Sequence, residues 1–189
     1  MKGTETILQG CFILEPEVFS DERGYFFESY NRDKLEAILG YSPKFVQDNQ
    51  SQSVFGVVRG LHMQAGAFSQ AKLVRVLEGA VIDVAVDVRA ESATFGQSVS
   101  VELSAENKKQ LFIPRGFLHG FSVISETAIF FYKCDSSYNK SSENGVHPLD
   151  AELNIDWKVA ADQMVISEKD LKAQSFSEFK SNINQISLK

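Results

Sequence analysis

The chain has 189 residues, 43% of them apolar and 15 of them phenylalanine, enough to bury a sizeable core without disulfide help. Its formal net charge of −6 excludes a general nucleic-acid binder, so any anionic ligand must be gripped by local Arg and Lys residues. No apolar stretch approaches a membrane span and Met1–Thr6 lacks the apolar run of a secretion signal, so the expectation is a cytoplasmic protein with no membrane partner.

In chain order, the first predicted element is a short helix. Leu35, Ile38 and Leu39 recur at helical spacing behind Asn31 as N-cap, with Gly40 as the stop. From Lys44 to Tyr138, β-prone runs alternate with turn residues. Lys72–Leu77, Glu78-Gly79 and Ala80–Val88 read as a hairpin. Further strands are predicted at Val99–Leu103, Gln110–Ile113, Gly116–Ile124 and Ala128–Lys133. Short strands at such intervals predict an all-β sandwich or barrel, with a jelly roll as the leading form. Residues Ser167–Lys180 read as helical. No repeat or low-complexity linker divides the chain, so 1–189 reads as a single domain with a helical segment from about residue 167.

Strand parity adds detail. In an extended 72–77 segment, Lys72, Val74 and Val76 share one face while Leu73, Arg75 and Leu77 share the other. Apolar residues on both faces place this strand between two packed layers. Lys72 then points inward, where an ammonium is costly unless it meets an anion or a polar cavity. Phe130 and Tyr132 likewise share a face opposite Phe131 and Lys133. The two cysteines, Cys11 and Cys134, lie far apart in apolar surroundings and read as buried reduced thiols, without zinc-type spacing.

The chemistry-bearing cluster is Arg59-Gly60-Leu61-His62, followed ten residues after the histidine by Lys72. A histidine takes a proton near neutral pH, a lysine stabilises charge developing on an oxygen, and an arginine grips phosphate. Together these point to proton abstraction from a carbon acid on an anionic substrate. A regular strand would send Arg59 and His62 to opposite sides, so a bulge or kink at Gly60 is expected. Ser167-Glu168-Lys169-Asp170 fits a capping box, in which Asp170 reaches back to the helix N-terminus.

Several motifs in order resemble the dTDP-4-dehydrorhamnose 3,5-epimerase family, from about Gly10 to Leu171. They are Phe19–Glu28, Phe45–Asn49, Arg59–His62, Lys72–Val76, Asp83–Arg89, Ile113–Phe121, Tyr132-Lys133 and Ser167–Asp170. The resemblance implies a mainly β, cupin-type jelly-roll β-barrel with short peripheral helices. It also implies inversion of C3 and C5 of a dTDP-linked 4-keto-6-deoxy sugar through an enolate, with neither cofactor nor metal. His62 stands at the position of the base, Asp170 at that of the carboxylate orienting it, Tyr132 at that of the proton donor and Lys72 at that of the enolate stabiliser. A nearby cation would lower the Tyr132 pKa, and Lys72 is the candidate.

Phe19, Arg23, Phe26, Glu28, Gln47, Asn49, Arg59, Lys72, His119, Tyr138, Glu143 and Lys169 stand at nucleotide-sugar-binding positions. Arg23, Arg59 and Lys169 suit the pyrophosphate, and Tyr138 the thymine ring. His119, between Phe117 and Phe121, also reads as a buried structural histidine. The Arg23–Glu28 segment implies a homodimer in which each N-terminal arm serves the neighbour's site. Departures at Met63, Gln50 and Val146–Asp150 bear on substrate choice and remove no proposed catalytic group. Epimerisation at C3 or C5 alone is the alternative, and His62 without a second histidine in an HxH pair disfavours a metal-dependent cupin.

Overall fold

The computed structural model describes residues 1–183. The chain opens with β1 (Lys2–Glu5), β2 (Phe12–Glu15), β3 (Val18–Asp21), β4 (Gly24–Phe27) and helix α1 (Arg32–Leu39). The central strands are β5 (Gln47–Val54), β6 (Val57–Gln64), β7 (Lys72–Glu78), β8 (Ala80–Asp87), β9 (Ser98–Ser104), β10 (Gln110–Ile113), β11 (Phe117–Val123) and β12 (Thr127–Cys134). Short strands β13 (Glu143–Gly145) and β14 (Val165–Ile166) precede α2 (Glu168–Leu171) and α3 (Phe176–Asn182).

One six-stranded sheet runs β1-β2-β10-β7-β12-β5. The second runs β13-β6-β11-β8-β9, with β14 joining β6 in parallel. From β5 to β12 the chain alternates between the sheets, except that β8 and β9 pair within the second. That winding is a jelly roll, as the strand spacing predicts.

The expected hairpin over residues 72–88 does not form. β7 pairs with β10 and β12, whereas β8 pairs with β11 and β9. Gly79 is the corner where the chain leaves one sheet for the other. Its φ is +74, and a Cβ there would lie 1.9 Å from the Thr127 carbonyl oxygen. Ser125 fastens the corner by accepting the Ala80 N–H at 2.8 Å. The tight turn thus joins the two sheets instead of two neighbouring strands.

Apolar residues sort into three layers. Val74, Val76, Leu111, Ala128 and Phe130 of the first sheet meet Val81, Ala85, Leu103, Phe117 and Phe121 of the second. Behind the first sheet, Leu73 and Phe112 pack with Leu14 of β2 and Leu35 of α1. Behind the second, Val58, Leu61, Val84 and Leu118 are covered by Trp157, Phe176 and Phe179. β7 therefore lies between two packed layers, as its parity requires. Burying one such side chain contributes about 1.5–3 kcal/mol, so these layers dominate the stability of both sheets.

Asn31 caps α1 by accepting the Asp33 and Lys34 N–H groups, and Gly40 ends it at φ 79. The predicted helix over 167–180 is two helices. Ser175 forms its own capping box with Glu178 and starts α3 afresh after α2. The four strands before residue 44 were not placed by periodicity, although the resemblance implies N-terminal strands exchanged in a homodimer. Cys11 and Cys134 are free and buried. Among the described residues no helix is long and apolar enough to cross a membrane.

Candidate active site

A cavity of about 630 Å³ lies between the sheets and takes its walls from both. The first sheet contributes Asn49 of β5, Lys72 of β7 and Tyr132 of β12. The second contributes Arg59 and His62 of β6 and His119 of β11, while Lys169 and Asp170 arrive from α2. Eight of the predicted residues thus share one space.

Gly60 is what admits both Arg59 and His62. His119 lies opposite His62, yet Phe121 lies opposite Arg59, so two steps along β11 match three along β6. The extra residue is a bulge, which restores both side chains to one cavity. Gly60 sits at φ +128, and a Cβ there would lie 2.6 Å from the Gly120 Cα and 2.9 Å from the His119 carbonyl oxygen. Only glycine fits this crossing.

His62 Nε2 is 2.7 Å from Asp170 Oδ1. In the neutral imidazole, Nε2–H donates to this carboxylate and Nδ1 is left with a free lone pair, the arrangement of a general base. Burial raises the Asp170 pKa, but the hydrogen bond and charge of His62, aided by the Gly60 backbone and Ser167, outweigh it and hold the carboxyl below its ordinary value. The capping box expected at Ser167 is only half formed, because the Asp170 carboxylate turns to His62 and does not reach back to the helix N-terminus. The Asp170 backbone N–H donates to Ser167 Oγ at 3.1 Å as in a cap.

A second histidine–carboxylate pair lies beside the first. His119 Nε2 is 2.9 Å from Asp83 Oδ2, and both side chains are buried. Burial pushes the His119 pKa down against the opposing pull of Asp83. The ring stacks on Phe130, which stacks in turn on Phe121 with centroids 4.2 Å apart.

On the facing sheet, Lys72 Nζ lies 5.9 Å from the Tyr132 ring centroid. Among the described residues no carboxylate lies within ion-pairing distance of Lys72. Burial lowers its pKa, against weaker pulls from Cys134, Asp83 and Glu143. Burial also raises the Tyr132 pKa, reinforced by Cys134, and the cation that draws it down is Arg59. The expectation that Lys72 would perform that service is therefore corrected: the ammonium sits over the ring. Arg59 is itself held by Ser53, whose Oγ accepts from Nε at 3.1 Å.

The rim is a hydrogen-bonded band. Glu143 accepts from Lys169 Nζ at 2.5 Å and from Tyr138 Oη at 3.2 Å. Gln47 Oε1 accepts the Tyr138 N–H at 2.9 Å, and its Nε2 donates to Asn49 Oδ1 at 3.0 Å. Asn49 Nδ2 donates to Cys134 Sγ at 3.8 Å. By contrast, Phe19, Arg23, Phe26 and Glu28 stand apart from this chain's own cavity. The first three line a separate hollow on the β3–β4 hairpin. Arg23 folds onto Asp21, and Glu28 meets Lys34 and Asn31.

Asp83 and Ser53 are the polar partners that sequence reasoning missed. A lone carboxylate in the apolar run Ala80–Val86 was the available signal for Asp83, since it must find a partner once buried. Ser53 offered none. Among the described residues no three His, Cys, Asp or Glu side chains converge as a metal site would need.

A family model described as dTDP-4-dehydrorhamnose 3,5-epimerase matches residues 5–178. The dTDP-4-dehydrorhamnose 3,5-epimerase of Salmonella typhimurium is 54% identical over 153 residues, which cover 81% of this chain and 84% of the relative. The crystal structure of dTDP-4-dehydrorhamnose 3,5-epimerase from Elizabethkingia anophelis matches with a TM-score of 0.91 at 56% identity, covering 94% of this chain and 97% of that one. A dTDP-6-deoxy-D-glucose-3,5-epimerase from Legionella pneumophila, solved in complex with dTDP-4-keto-L-rhamnose, matches at a TM-score of 0.91 and 46% identity over 96% of each chain.

Proposed function

The chain belongs to the dTDP-4-dehydrorhamnose 3,5-epimerase family, and from that premise we propose how its residues invert C3 and C5 of dTDP-4-dehydro-6-deoxy-D-glucose to give dTDP-4-dehydro-L-rhamnose. Both carbons adjoin the C4 ketone, so each proton is acidified by delocalisation into an enolate. The reaction needs a base, a donor for the enolate oxygen and an acid on the opposite face.

His62 Nδ1 takes the proton, with Asp170 holding the ring and stabilising the imidazolium that forms. Lys72, with no carboxylate among the described residues within ion-pairing distance, supports the developing oxyanion. Tyr132 returns a proton from the opposite side. The observation that carries this reading is the division of labour across the cavity: the His62–Asp170 pair stands on the second sheet and α2, and Lys72 and Tyr132 stand on adjacent strands of the first. Arg59 and Lys169 meet the pyrophosphate, and Tyr138 stacks on thymine. The β3–β4 arm, with Phe19 and Phe26 more than half exposed, reaches the neighbour's cavity in a homodimer. The enzyme works in the cytoplasm as a single-domain chain.

NMR in D₂O with the dTDP-4-keto-6-deoxy sugar tests the reaction. Deuterium is expected at both C3 and C5, and exchange at one carbon alone would make the protein a monoepimerase. Absence of exchange at either carbon would refute the proposal. Tyr132→Phe should keep deuterium wash-in while losing full inversion; equal loss of both would remove Tyr132 from the acid's role.

A further inference from the structure

Two successive backbone N–H groups at the rim are held by glutamine carbonyls from opposite sheets. Tyr138 N–H donates to Gln47 Oε1 of β5, and Asn139 N–H donates to Gln64 Oε1 of β6, each at 2.9 Å. A backbone N–H can only donate, so the orientation of both side-chain amides follows. Gln64 is buried, and it lies on the same strand face as His62, two residues away. Asn139 is fixed from its other side as well, since its Oδ1 accepts from the Ser141 N–H and caps the turn over Lys140–Ser142. The segment is therefore tied to both sheets through these two hydrogen bonds.

We propose that Gln47 and Gln64 form a two-sided clamp that sets the height and angle of Tyr138 over the cavity, making Gln64 a positioning residue for recognition of the thymine base. The proposal deepens the reading above and rests on Tyr138 as the stacking partner. The clamp ties base recognition to both catalytic walls, because one arm springs from the strand that carries His62 and the other from the strand paired with Tyr132.

Gln64→Met keeps the side-chain length and removes the acceptor. Titration calorimetry with dTDP and, separately, with inorganic pyrophosphate reads the base end apart from the phosphate end. Loss of the acceptor is expected to weaken dTDP by about tenfold and pyrophosphate by no more than about twofold. KM for the sugar nucleotide should rise more than kcat falls. Gln47→Met, on a polar edge strand that tolerates change, should repeat this signature, and Gln47→Glu, which keeps an acceptor for the Tyr138 N–H, should restore most of the dTDP affinity. Unchanged dTDP affinity in both Met variants, or equal weakening of dTDP and pyrophosphate, overturns the clamp. Wild-type protein that fails to bind dTDP overturns the underlying reading, and the clamp with it.

Discussion

Two histidine–carboxylate pairs sit side by side on one wall of the cavity, directly opposite each other across β6 and β11, and they differ in one respect. The His62 side chain is 35% exposed, and that of His119 only 8%. Both rings meet a carboxylate at hydrogen-bond distance, so a partner alone does not make a base. A general base must carry a full charge partway through the reaction, and the imidazolium is affordable only where solvent or substrate can share it. His119 is kept neutral by burial and acts as a rigid polar strut; His62 is oriented by Asp170 and left free at Nδ1.

The largest effect should fall on the exposed pair. His62→Ala is expected to lower kcat by at least about 10²–10⁴ while leaving dTDP affinity nearly intact. Steady-state kinetics beside calorimetry would check it, and substantial residual turnover would remove His62 from the base's role. His119→Ala should behave in the opposite way. It strands the buried Asp83 carboxylate and should cost about 3 kcal/mol or more of stability, read as a fall in denaturant midpoint. A variant of unchanged stability would mean that the strut bears no load.

The acid limb of stability separates the pairs further. The His119 pKa is depressed in the fold, so between that value and about 6.5 the unfolded chain holds more protons. Stability is therefore complete above about 6.5 and declines as pH falls through that window. Asp170, with its carboxyl held below the ordinary value, stabilises above about 3.9 and loses its contribution only as pH falls lower still. Melting temperature against pH should show the first decline well before the second, and a flat profile down to about pH 5 would contradict the buried neutral histidine.

Strands with sustained β-prone runs were legible in the sequence almost to the residue. Gln110–Ile113 coincides with β10, and Val99–Leu103 falls one residue short of β9 at each end. The four N-terminal strands were not picked out from the residues, because four residues are too few for a period to show and these strands lie before the sustained series of turn-bounded runs that made β10, of the same length, legible. Pairing was misjudged at residues 72–88 because a tight Glu-Gly link fits a hairpin and a sheet-to-sheet corner equally well, and only distant strands decide between them. Within the site, His62, Lys72, Tyr132 and Asp170 came to light through motif order, and the expected bulge at Gly60 is present. The source of the charge acting on Tyr132 was misassigned, since Arg59 belongs to the opposite sheet and only the fold brings it near the phenol.

Gly60 and Gly120 face each other so closely that a methyl group on either would strike backbone: Gly120 Cα at 2.6 Å in one case, the Arg59 carbonyl oxygen at 2.7 Å in the other. Neither position can be changed first, and a change at one does not make room for a change at the other. The floor beneath the histidines is thus closed to stepwise mutation. New sugar preferences in descendants of this chain must leave this glycine pair in place, and directed-evolution libraries should hold both glycines fixed while the residues around them vary.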